Sequence, residues 1–347
     1  MSPQSATYIA TMAALGTELG AATPTPAFRE AVQRAIQANP WFMPEDIRHA
    51  ARALADDLLQ ADKLTRWLAA YDIPAATQRT VGIVMAGNLP MVGFHDLLCV
   101  LAAGHRCLIN PSSKDRAMTD YLIGRLRQLA PGLPLAYWHD EPVDAVIATG
   151  SDNTNRYFRS RFHDIPALLR GSRHSVAVLT GQETDDELQD LAEDMFRYNG
   201  MGCRSVSRLF VPPGYDIRAL AATLGRYRGI NPKYRNNYRQ ARALALMQGS
   251  TFTDGGFFLL VPADGFPDTL SKITYSEYRT PDEVQAWLAT HDRKLQCIVG
   301  RDQAHPRGVA FGRAQHPSLT DYADGRDTMQ FLTGLTVPSR TLHSNSN

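Results

Sequence analysis

The sequence has little net charge, few cysteines and no long hydrophobic run. Its 36 lysines and arginines nearly balance 35 aspartates and glutamates, which leaves a formal charge of +1 at pH 7. This balance gives no electrostatic basis for binding nucleic acid or an anionic membrane. The longest apolar stretch, near Leu97 to Ala103, is too short to span a bilayer, and no basic segment with an apolar core opens the chain. We therefore expect a cytoplasmic protein without a membrane span, which binds a small molecule and no nucleic acid.

Cysteine usage excludes two further classes of protein. The four cysteines are Cys99, Cys107, Cys203 and Cys297. They form no CxxC pair and no metal-type spacing, so the pattern suits a reducing compartment better than a disulfide framework and predicts no metal site.

The GxGxxG and GxxxxGK[ST] fingerprints are also absent. The sequence therefore supports neither an ordinary Rossmann dinucleotide site nor a P-loop.

The N-terminal part of the chain has a helical pattern. Residues 1–25 are rich in Ala, Thr and Pro and are expected to be largely irregular. Residues 26–38 and 44–71 carry apolar side chains at helical spacing, and Pro44 suits a first helical position. We predict a helical segment over residues 1–75 that packs on the domain that follows it.

At 347 residues the chain is long enough for two domains, and its pattern beyond residue 80 is that of an α/β protein. Short apolar runs alternate with helical stretches, which predicts parallel strands covered by helices on both faces. Such sheets bind ligands beyond the carboxyl ends of their strands. The predicted organisation is a first α/β domain over 76–174, a second over 175–305, a C-terminal return segment over 306–335, and a tail over 336–347. The tail is polar from Ser339 onward, where we expect disorder.

Cys203 is the candidate nucleophile. It lies in a loop with Gly200 and Gly202 that runs into an apolar strand, and such glycines permit positive φ or close approach to a ligand. The neighbouring Arg204 and Arg208 would lower the pKa of the thiol, so that more thiolate forms at neutral pH. The alternative is that Cys203 is one more small buried hydrophobic residue, as most cysteines are.

Two predicted strand ends carry unusual residues. The turn after residues 81–86 contains Asn88, whose amide stands at the head of the next helix. The turn after residues 143–148 contains Thr149, Gly150 and Ser151, which could present backbone N–H groups and a helix N-terminus to a phosphate. Taken singly, the first is more often a plain turn and the second a helix cap.

Together these segments resemble the aldehyde dehydrogenase superfamily, and within it the acyl-CoA reductase family of LuxC-type fatty acyl-CoA reductases. The resemblance spans roughly residues 28–335. The segments that carry it are Met85 to Asp96, Ile147 to Ser151, Tyr198 to Pro212 and Phe311 to Gly325. It implies an aldehyde-dehydrogenase-like fold, in which the first α/β domain binds a nucleotide and the second is catalytic.

The resemblance also implies roles for individual residues. The family's nucleophile falls on Cys203, and the asparagine that helps to hold the thioester oxygen falls on Asn88. A backbone N–H at the cysteine supplies the other donor, since an oxyanion is stabilised by preorganised donors. The nucleotide-binding turn of the family matches Thr149, Gly150 and Ser151.

Several positions depart from the superfamily pattern. Asn155 stands where a second glycine is common, so the contact with a pyrophosphate is expected to differ. The lysine that commonly touches the adenosine ribose is replaced by Asn110, and the glutamate three residues on is replaced by Ser113. Losing that carboxylate removes a repulsion against a ribose 2′-phosphate, which Lys114 and Arg116 could pair with. NADPH is therefore the expected cofactor, with NADH as an alternative.

The implied reaction is reduction of an acyl-CoA, or another acyl thioester, to an aldehyde through a thioester on Cys203. A homo-oligomer is expected, and an acyl-activating or acyl-transferring partner is compatible with this reaction. The rival enzyme is a hydrolytic aldehyde dehydrogenase, whose water-activating glutamate is matched here by Leu169 unless Glu183 or Glu187 takes its place. A non-catalytic acyl- or nucleotide-binding protein is the other alternative.

Overall fold

The structure is a computed structural model that describes residues 3–73 and 78–335. The helices of these residues are α1 (Pro3–Leu19), α2 (Pro26–Ala38), α3 (Pro44–Ala53), α4 (Ala61–Ala69), α5 (Phe94–Ala102), α6 (Arg116–Leu129), α7 (Asp152–Arg161), α8 (Asp185–Phe196), α9 (Ile217–Leu224), α10 (Pro232–Met247), α11 (Pro281–His291) and α12 (Thr328–Thr333). A π-helical turn, Leu54–Leu58, follows α3. No helix of the described ranges is both long and apolar enough to cross a bilayer.

The first sheet is parallel throughout. Its strands are β1 (Thr80–Val84), β2 (Arg106–Asn110), β3 (Leu135–Tyr137), β4 (Ala145–Thr149) and β5 (Ala167–Arg170), in the order β3-β2-β1-β4-β5. The chain moves outward from β1 through β2 to β3, and then returns to place β4 on the other side of β1. The carboxyl ends of β1 and β4 therefore form a topological switch point, where open α/β sheets bind ligands.

The second sheet follows in sequence. Its strands are β6 (His174–Val178), β7 (Val206–Val211), β8 (Thr253–Asp254), β9 (Leu259–Pro262), β10 (Lys272–Glu277), β11 (Leu295–Val299) and β12 (Gly308–Val309), in the order β12-β11-β6-β7-β10-β9-β8. The β8–β9 pair is antiparallel and the other pairs are parallel. The central strand β7 follows the Cys203 loop directly, so the loop is anchored in the middle of this sheet.

The predicted α/β class and the helical N-terminal segment are confirmed. The expectation of an irregular start is wrong, because residues 3–19 form α1, whose Met12 and Leu15 are fully buried. The helical pattern over residues 44–71 forms α3, the π-helical turn and α4. A short break precedes α4, which buries Leu64 and Trp67.

Four strands were not predicted. The edge strand β5 pairs with β4, and β10 pairs with both β7 and β9, while β8 and β12 have only two residues each. All four segments are short, so none has a long apolar run to mark it. The predicted disordered tail lies outside the described residues.

Candidate active site

The loop before Cys203 has an unusual backbone. After α8, Tyr198, Asn199 and Gly200 adopt positive φ of 56°, 56° and 64°. Residues other than glycine rarely adopt this backbone conformation, so the surrounding contacts must hold it. The buried Asn199 does so: its Oδ1 accepts from the backbone N–H of Asn231 at 3.0 Å. The start of the loop is thereby fixed.

The loop is also fixed at Cys203 itself. The carbonyl oxygen of Cys203 accepts a hydrogen bond from Ser175 Oγ at 2.9 Å. The same hydroxyl oxygen accepts from the N–H of Cys297 at 3.0 Å. Since Ser175 lies on β6 and Cys297 on β11, one buried hydroxyl ties the nucleophile loop to two strands of the second sheet.

Cys203 differs from the other cysteines in its exposure, because it is partly exposed whereas Cys99, Cys107 and Cys297 are buried. Burial of its thiol raises the pKa of Cys203 to about 11, and the positive charge of Arg204 opposes this only in part. The expected lowering of the thiol pKa by the two arginines is therefore wrong.

Arg208 has no part in this environment. Its buried guanidinium donates to the carbonyl oxygens of Ala263 and Gly265 and to Ser276 Oγ, at 2.6, 3.1 and 2.7 Å. Arg204 instead donates to Cys297 Sγ at 3.2 Å. The guanidinium of Arg204, the arginine next to Cys203, therefore contacts the sulfur atom of Cys297.

Asn88 reaches this loop from the first sheet. Its Nδ2 donates to the carbonyl oxygen of Met201 at 2.8 Å, two residues before Cys203. The turn that carries it is held by Asp115, whose Oδ2 accepts from the N–H of Met91 at 2.7 Å. Met91 has a positive φ of 58°, so this hydrogen bond holds a strained position. The structure thus places the predicted amide against the loop that carries the predicted nucleophile.

The turn Thr149-Gly150-Ser151 lies at the switch point, directly after β4. A Cβ atom on Gly150 would stand 2.9 Å from Cβ and Cγ2 of Thr154, so α7 packs closely on the end of the strand because this position lacks a side chain. Ser151 caps α7 by accepting from the N–H of Thr154 at 3.4 Å. The positive end of α7 therefore points to the region beyond β4 and β1.

The predicted ribose-contacting residues lie at the same sheet edge. Asn110 ends β2 and Ser113 follows it, and both are exposed. Arg116 pairs with Asp120 at 2.8 Å and lies over the ring of Tyr137, so a phosphate would have to compete with these contacts.

Lys114 is the remaining cation of the predicted ribose contacts. It is exposed, and no acidic partner lies within ion-pair distance among the residues described. Lys114 is therefore the better candidate for contact with a 2′-phosphate.

The structure also shows where the three positions considered for a water-activating base lie, namely Leu169, Glu183 and Glu187. Leu169 lies in β5, next to the switch point, and supplies no carboxylate. Glu183 accepts from the N–H groups of Thr180 and Gly181, and Glu187 pairs with Arg301 at 2.5 Å. Both glutamates stand at the N-terminal end of α8, whose 12 residues span about 18 Å, whereas the Cys203 loop follows its other end. Neither glutamate is placed to activate water at Cys203.

Sequence reasoning missed two features near the thiol. The negative charge of Asp324, whose φ is 61°, is among the causes that raise the pKa of Cys203. Asp324 also pairs with Arg173 at 3.0 Å. A cavity of about 400 Å³ lies beside the loop and is lined by Arg204, Cys297, Arg307, Asp321 and Tyr322, among others. No local sequence pattern marks these contacts, which join the loop to residues 93 or more positions away in the sequence.

A parallel sheet with a ligand-binding switch point, joined to a second sheet that carries a cysteine loop, is the architecture of aldehyde dehydrogenases. The chain is similar to aldehyde dehydrogenase 21 from Physcomitrella patens, with 15% identity over 95% of this chain and 84% of that one and a TM-score of 0.68. It is also similar to an oxidoreductase from Marinobacter aquaeolei, with 14% identity over 85% of this chain and 72% of that one and a TM-score of 0.63. At these identities the likeness shows the fold alone.

Within this architecture the sequence is more specific. The pattern of the family described as acyl-CoA reductase (LuxC) matches residues 29–256, and the chain belongs to that family. It is 23% identical over 225 residues to the long-chain acyl-protein thioester reductase of Aliivibrio fischeri, a match that covers 57% of this chain and 47% of that protein. A second such reductase, from Photobacterium leiognathi, is 23% identical over 188 residues, which cover 48% of this chain and 39% of that protein. The matches thus span less than half of these relatives.

Proposed function

We propose that the protein reduces an acyl thioester to an aldehyde, with Cys203 as the covalent carrier of the acyl group. The observation that carries this proposal is the hydrogen bond from Asn88 Nδ2 to the carbonyl oxygen of Met201, at 2.8 Å. It places an amide donor beside a cysteine loop at the junction of the two sheets. The match to the acyl-CoA reductase (LuxC) family supports the same chemistry.

In the first step, the Cys203 thiolate attacks the thioester carbonyl carbon and a C–S bond forms. The developing oxyanion accepts hydrogen bonds from Asn88 Nδ2 and from the backbone N–H of Cys203, each of which stabilises it by a few kcal/mol. The carrier thiolate then leaves, takes up a proton and departs as a thiol. The acyl group is left on Cys203, which divides one difficult step into two.

In the second step, the acyl-Cys203 carbonyl is reduced and the C–S bond breaks, which releases the aldehyde and restores the thiolate. A bound reduced nicotinamide nucleotide supplies the hydride for this step. The same two donors hold the oxyanion that forms again, so Asn88 serves both halves of the reaction.

The first step requires the thiolate form of Cys203. Because burial raises its pKa to about 11, Cys203 is mainly a thiol at neutral pH. Arg204 is the cation beside it, although its Nη1 now donates to Cys297 Sγ at 3.2 Å. We propose that substrate binding turns Arg204 toward Cys203 and thereby favours the thiolate.

The residues at the switch point fit a nicotinamide dinucleotide. Gly150 permits close packing of α7 on β4, and Thr149 and Ser151 flank the positive end of α7. Two features favour a cofactor with a 2′-phosphate. Ser113 supplies no carboxylate, and the ammonium of Lys114 has no ion-pair partner among the residues described. We therefore propose NADPH, with NADH as a weaker alternative.

The carrier of the acyl group is left open between CoA and a protein. The two curated relatives are described as reductases of long-chain acyl-protein thioesters, whereas the family is described as an acyl-CoA reductase. A hydrolytic reaction is less consistent with the site, because Leu169 offers no base and Glu183 and Glu187 lie at the far end of α8.

The experiment is a direct assay with purified protein. Acyl-CoAs from acetyl to palmitoyl, and the same acyl groups on an acyl carrier protein, are supplied with NADPH or NADH, and both cofactor oxidation and aldehyde are measured. We expect one aldehyde for each reduced cofactor consumed. Binding of these ligands without any aldehyde would favour the non-catalytic alternative.

A further inference from the structure

Helix α10 carries a positive, exposed surface that the reaction above does not use. Its 16 residues contain one lysine and three arginines, and no aspartate or glutamate. Arg235, Arg239 and Arg242 are spaced by four and three positions, so they lie in one row along the helix, which Leu246 continues. All four side chains are exposed, and we call them the α10 row.

Little in the described chain neutralises the α10 row. Arg242 pairs with Asp254 at 2.7 Å. Arg239 donates to the amide oxygen of Asn236 at 3.3 Å, and Arg235 lies over the ring of Phe257. Neither Arg235 nor Arg239 has an acidic partner within ion-pair distance among the side chains that the structure describes. The row is therefore locally positive, although the whole chain has a formal charge of only +1.

Three apolar side chains extend this surface at the end of the helix. Leu244, Leu246 and Met247 are 48%, 56% and 83% exposed. Exposed apolar side chains beside charged ones are typical of surfaces that bind another protein, where arginine and methionine are enriched. A lipid surface fits less well, because the apolar side of α10 that contains Tyr234 and Ala241 is already buried in the protein.

The α10 row is attached to the Cys203 loop. The backbone N–H of Asn231, the residue before α10, donates to Oδ1 of Asn199 at 3.0 Å. Asn199 lies four residues before Cys203 and has a positive φ of 56°. Sixteen residues of helix extend about 24 Å, so the row runs outward from the neighbourhood of this loop. A macromolecule bound along the row would lie beside the loop of the proposed nucleophile.

We propose that the α10 row docks an acidic protein that carries the acyl group as a thioester. This inference rests on the proposed function, which leaves the carrier open between CoA and a protein. Carboxylates of the carrier pair with Arg235 and Arg239, and its apolar side chains cover Leu246 and Met247. Complementary charge steers such a partner to the surface and fixes its orientation. The protein-bound thioester then arrives beside Cys203, whereas acyl-CoA needs no contact with α10.

The test uses an acyl carrier protein, which is acidic, and the variant Arg239→Glu. Arg239 is exposed and contacts only the side chain of Asn236, so the variant should fold normally, and thermal unfolding checks this. Isothermal titration calorimetry measures the dissociation constant of the unacylated carrier. We expect it to rise about 10-fold or more in the variant, because like charges then face each other. Raised salt should weaken binding to the wild type.

Steady-state kinetics gives a second readout of the same variant. The kcat/KM for palmitoyl-acyl carrier protein should fall in Arg239→Glu by the same factor as the affinity. The kcat/KM for palmitoyl-CoA should stay the same, because this substrate does not use α10. A carrier with one surface glutamate replaced by lysine should bind the variant more tightly than the unchanged carrier does, at the position that faces residue 239.

Arg29→Glu is the matched control. Arg29 is an exposed arginine of α2, in the N-terminal helical segment, and it has no acidic partner within ion-pair distance among the side chains described. The control changes the net charge by the same amount away from α10. It should leave the affinity for the carrier and both values of kcat/KM unchanged.

Equal binding of the carrier by the wild type and Arg239→Glu would overturn the proposal, as would a wild type that binds no carrier. An effect of the variant confined to phosphatidylglycerol vesicles or to self-association would also overturn it, and would assign the surface to a membrane or to a second copy of the chain. Docking needs no reduction. Carrier binding that depends on Arg239 in a protein that forms no aldehyde would therefore count against the proposed function alone.

Discussion

The side-chain amide of Asn88 lies 2.8 Å from the carbonyl oxygen of Met201, a residue 113 positions away in the sequence. Asn88 follows the first strand of the first sheet, and Met201 precedes Cys203 in the loop that enters the second sheet. One amide hydrogen is used in this bond, which orients the group and leaves the second hydrogen for the oxyanion that we propose at Cys203. The contact therefore joins the two sheets and, in the proposed mechanism, also positions a donor.

Replacement of Asn88 by alanine should lower turnover by about 10²-fold or more, because one preorganised oxyanion donor is lost. The fold should change little, since Asn88 is exposed and its turn is held by Asp115. Steady-state kinetics with an acyl thioester measures the effect, and circular dichroism checks the fold. An increase in KM at unchanged kcat would make Asn88 an ordinary binding residue.

Cys203→Ala should abolish aldehyde formation. Cys99→Ala, Cys107→Ala and Cys297→Ala should keep turnover and lose on the order of 1 kcal/mol of unfolding free energy, because these three residues are buried and act in packing. Turnover and urea denaturation of the four variants separate the two effects. Turnover retained by Cys203→Ala would exclude the covalent mechanism.

Asp115→Asn should change how stability depends on pH. Burial raises the pKa of Asp115 to about 8, so the folded protein holds this proton where the unfolded chain has released it. Stability from this group is therefore fully present below about pH 4 and is lost as the pH rises toward about 8. The asparagine can still accept from Met91 N–H but does not ionise.

Urea denaturation at pH 6 and pH 9 tests this effect. The variant should gain stability relative to the wild type at the higher pH. The same difference between the two proteins at both pH values would show that Asp115 does not titrate in this range.

Ser113→Glu should weaken NADPH binding more than NADH binding, because it places a carboxylate near the proposed 2′-phosphate. Lys114→Ala should weaken NADPH in the same direction, since Arg116 is engaged with Asp120 and Tyr137. Fluorescence titration of both cofactors measures the ratio of the two dissociation constants. Equal effects on both cofactors would show that Ser113 does not face the adenosine ribose.

The fold class was predictable because it depends on local patterns. The apolar runs that form β1, β2, β4 and β7 are strongly marked, and so is the cap of α8, where Thr184 and Glu187 form a capping box. The first helix, α1, was missed because its Ala- and Thr-rich sequence has weak periodicity, and it is stabilised by packing of Met12 and Leu15 in the core.

The candidate site was only partly predictable. The sequence marks Asn88 and Cys203 by their turns, but their proximity depends on how two sheets pack. The same reasoning placed Arg208 beside the thiol. Alternation of side chains along β7 instead directs it to Phe210 and Trp287, over whose rings its guanidinium lies. The domain boundaries, the homo-oligomer, the acyl-transferring partner and the cytoplasmic location stay predictions.

The most direct test of the account is the fate of an acyl group on Cys203. The protein is incubated with a labelled acyl-CoA in the absence of reduced cofactor, and its intact mass and the release of free acid are followed. NADPH or NADH is then added, and aldehyde is measured. We predict one acyl group on the wild type and none on Cys203→Ala, slow release of free acid, and rapid conversion to aldehyde. Loss of a water-activating base slows hydrolysis by about 10²–10⁴-fold. Free acid that forms as fast as aldehyde would contradict the reductase mechanism and favour a hydrolytic aldehyde dehydrogenase.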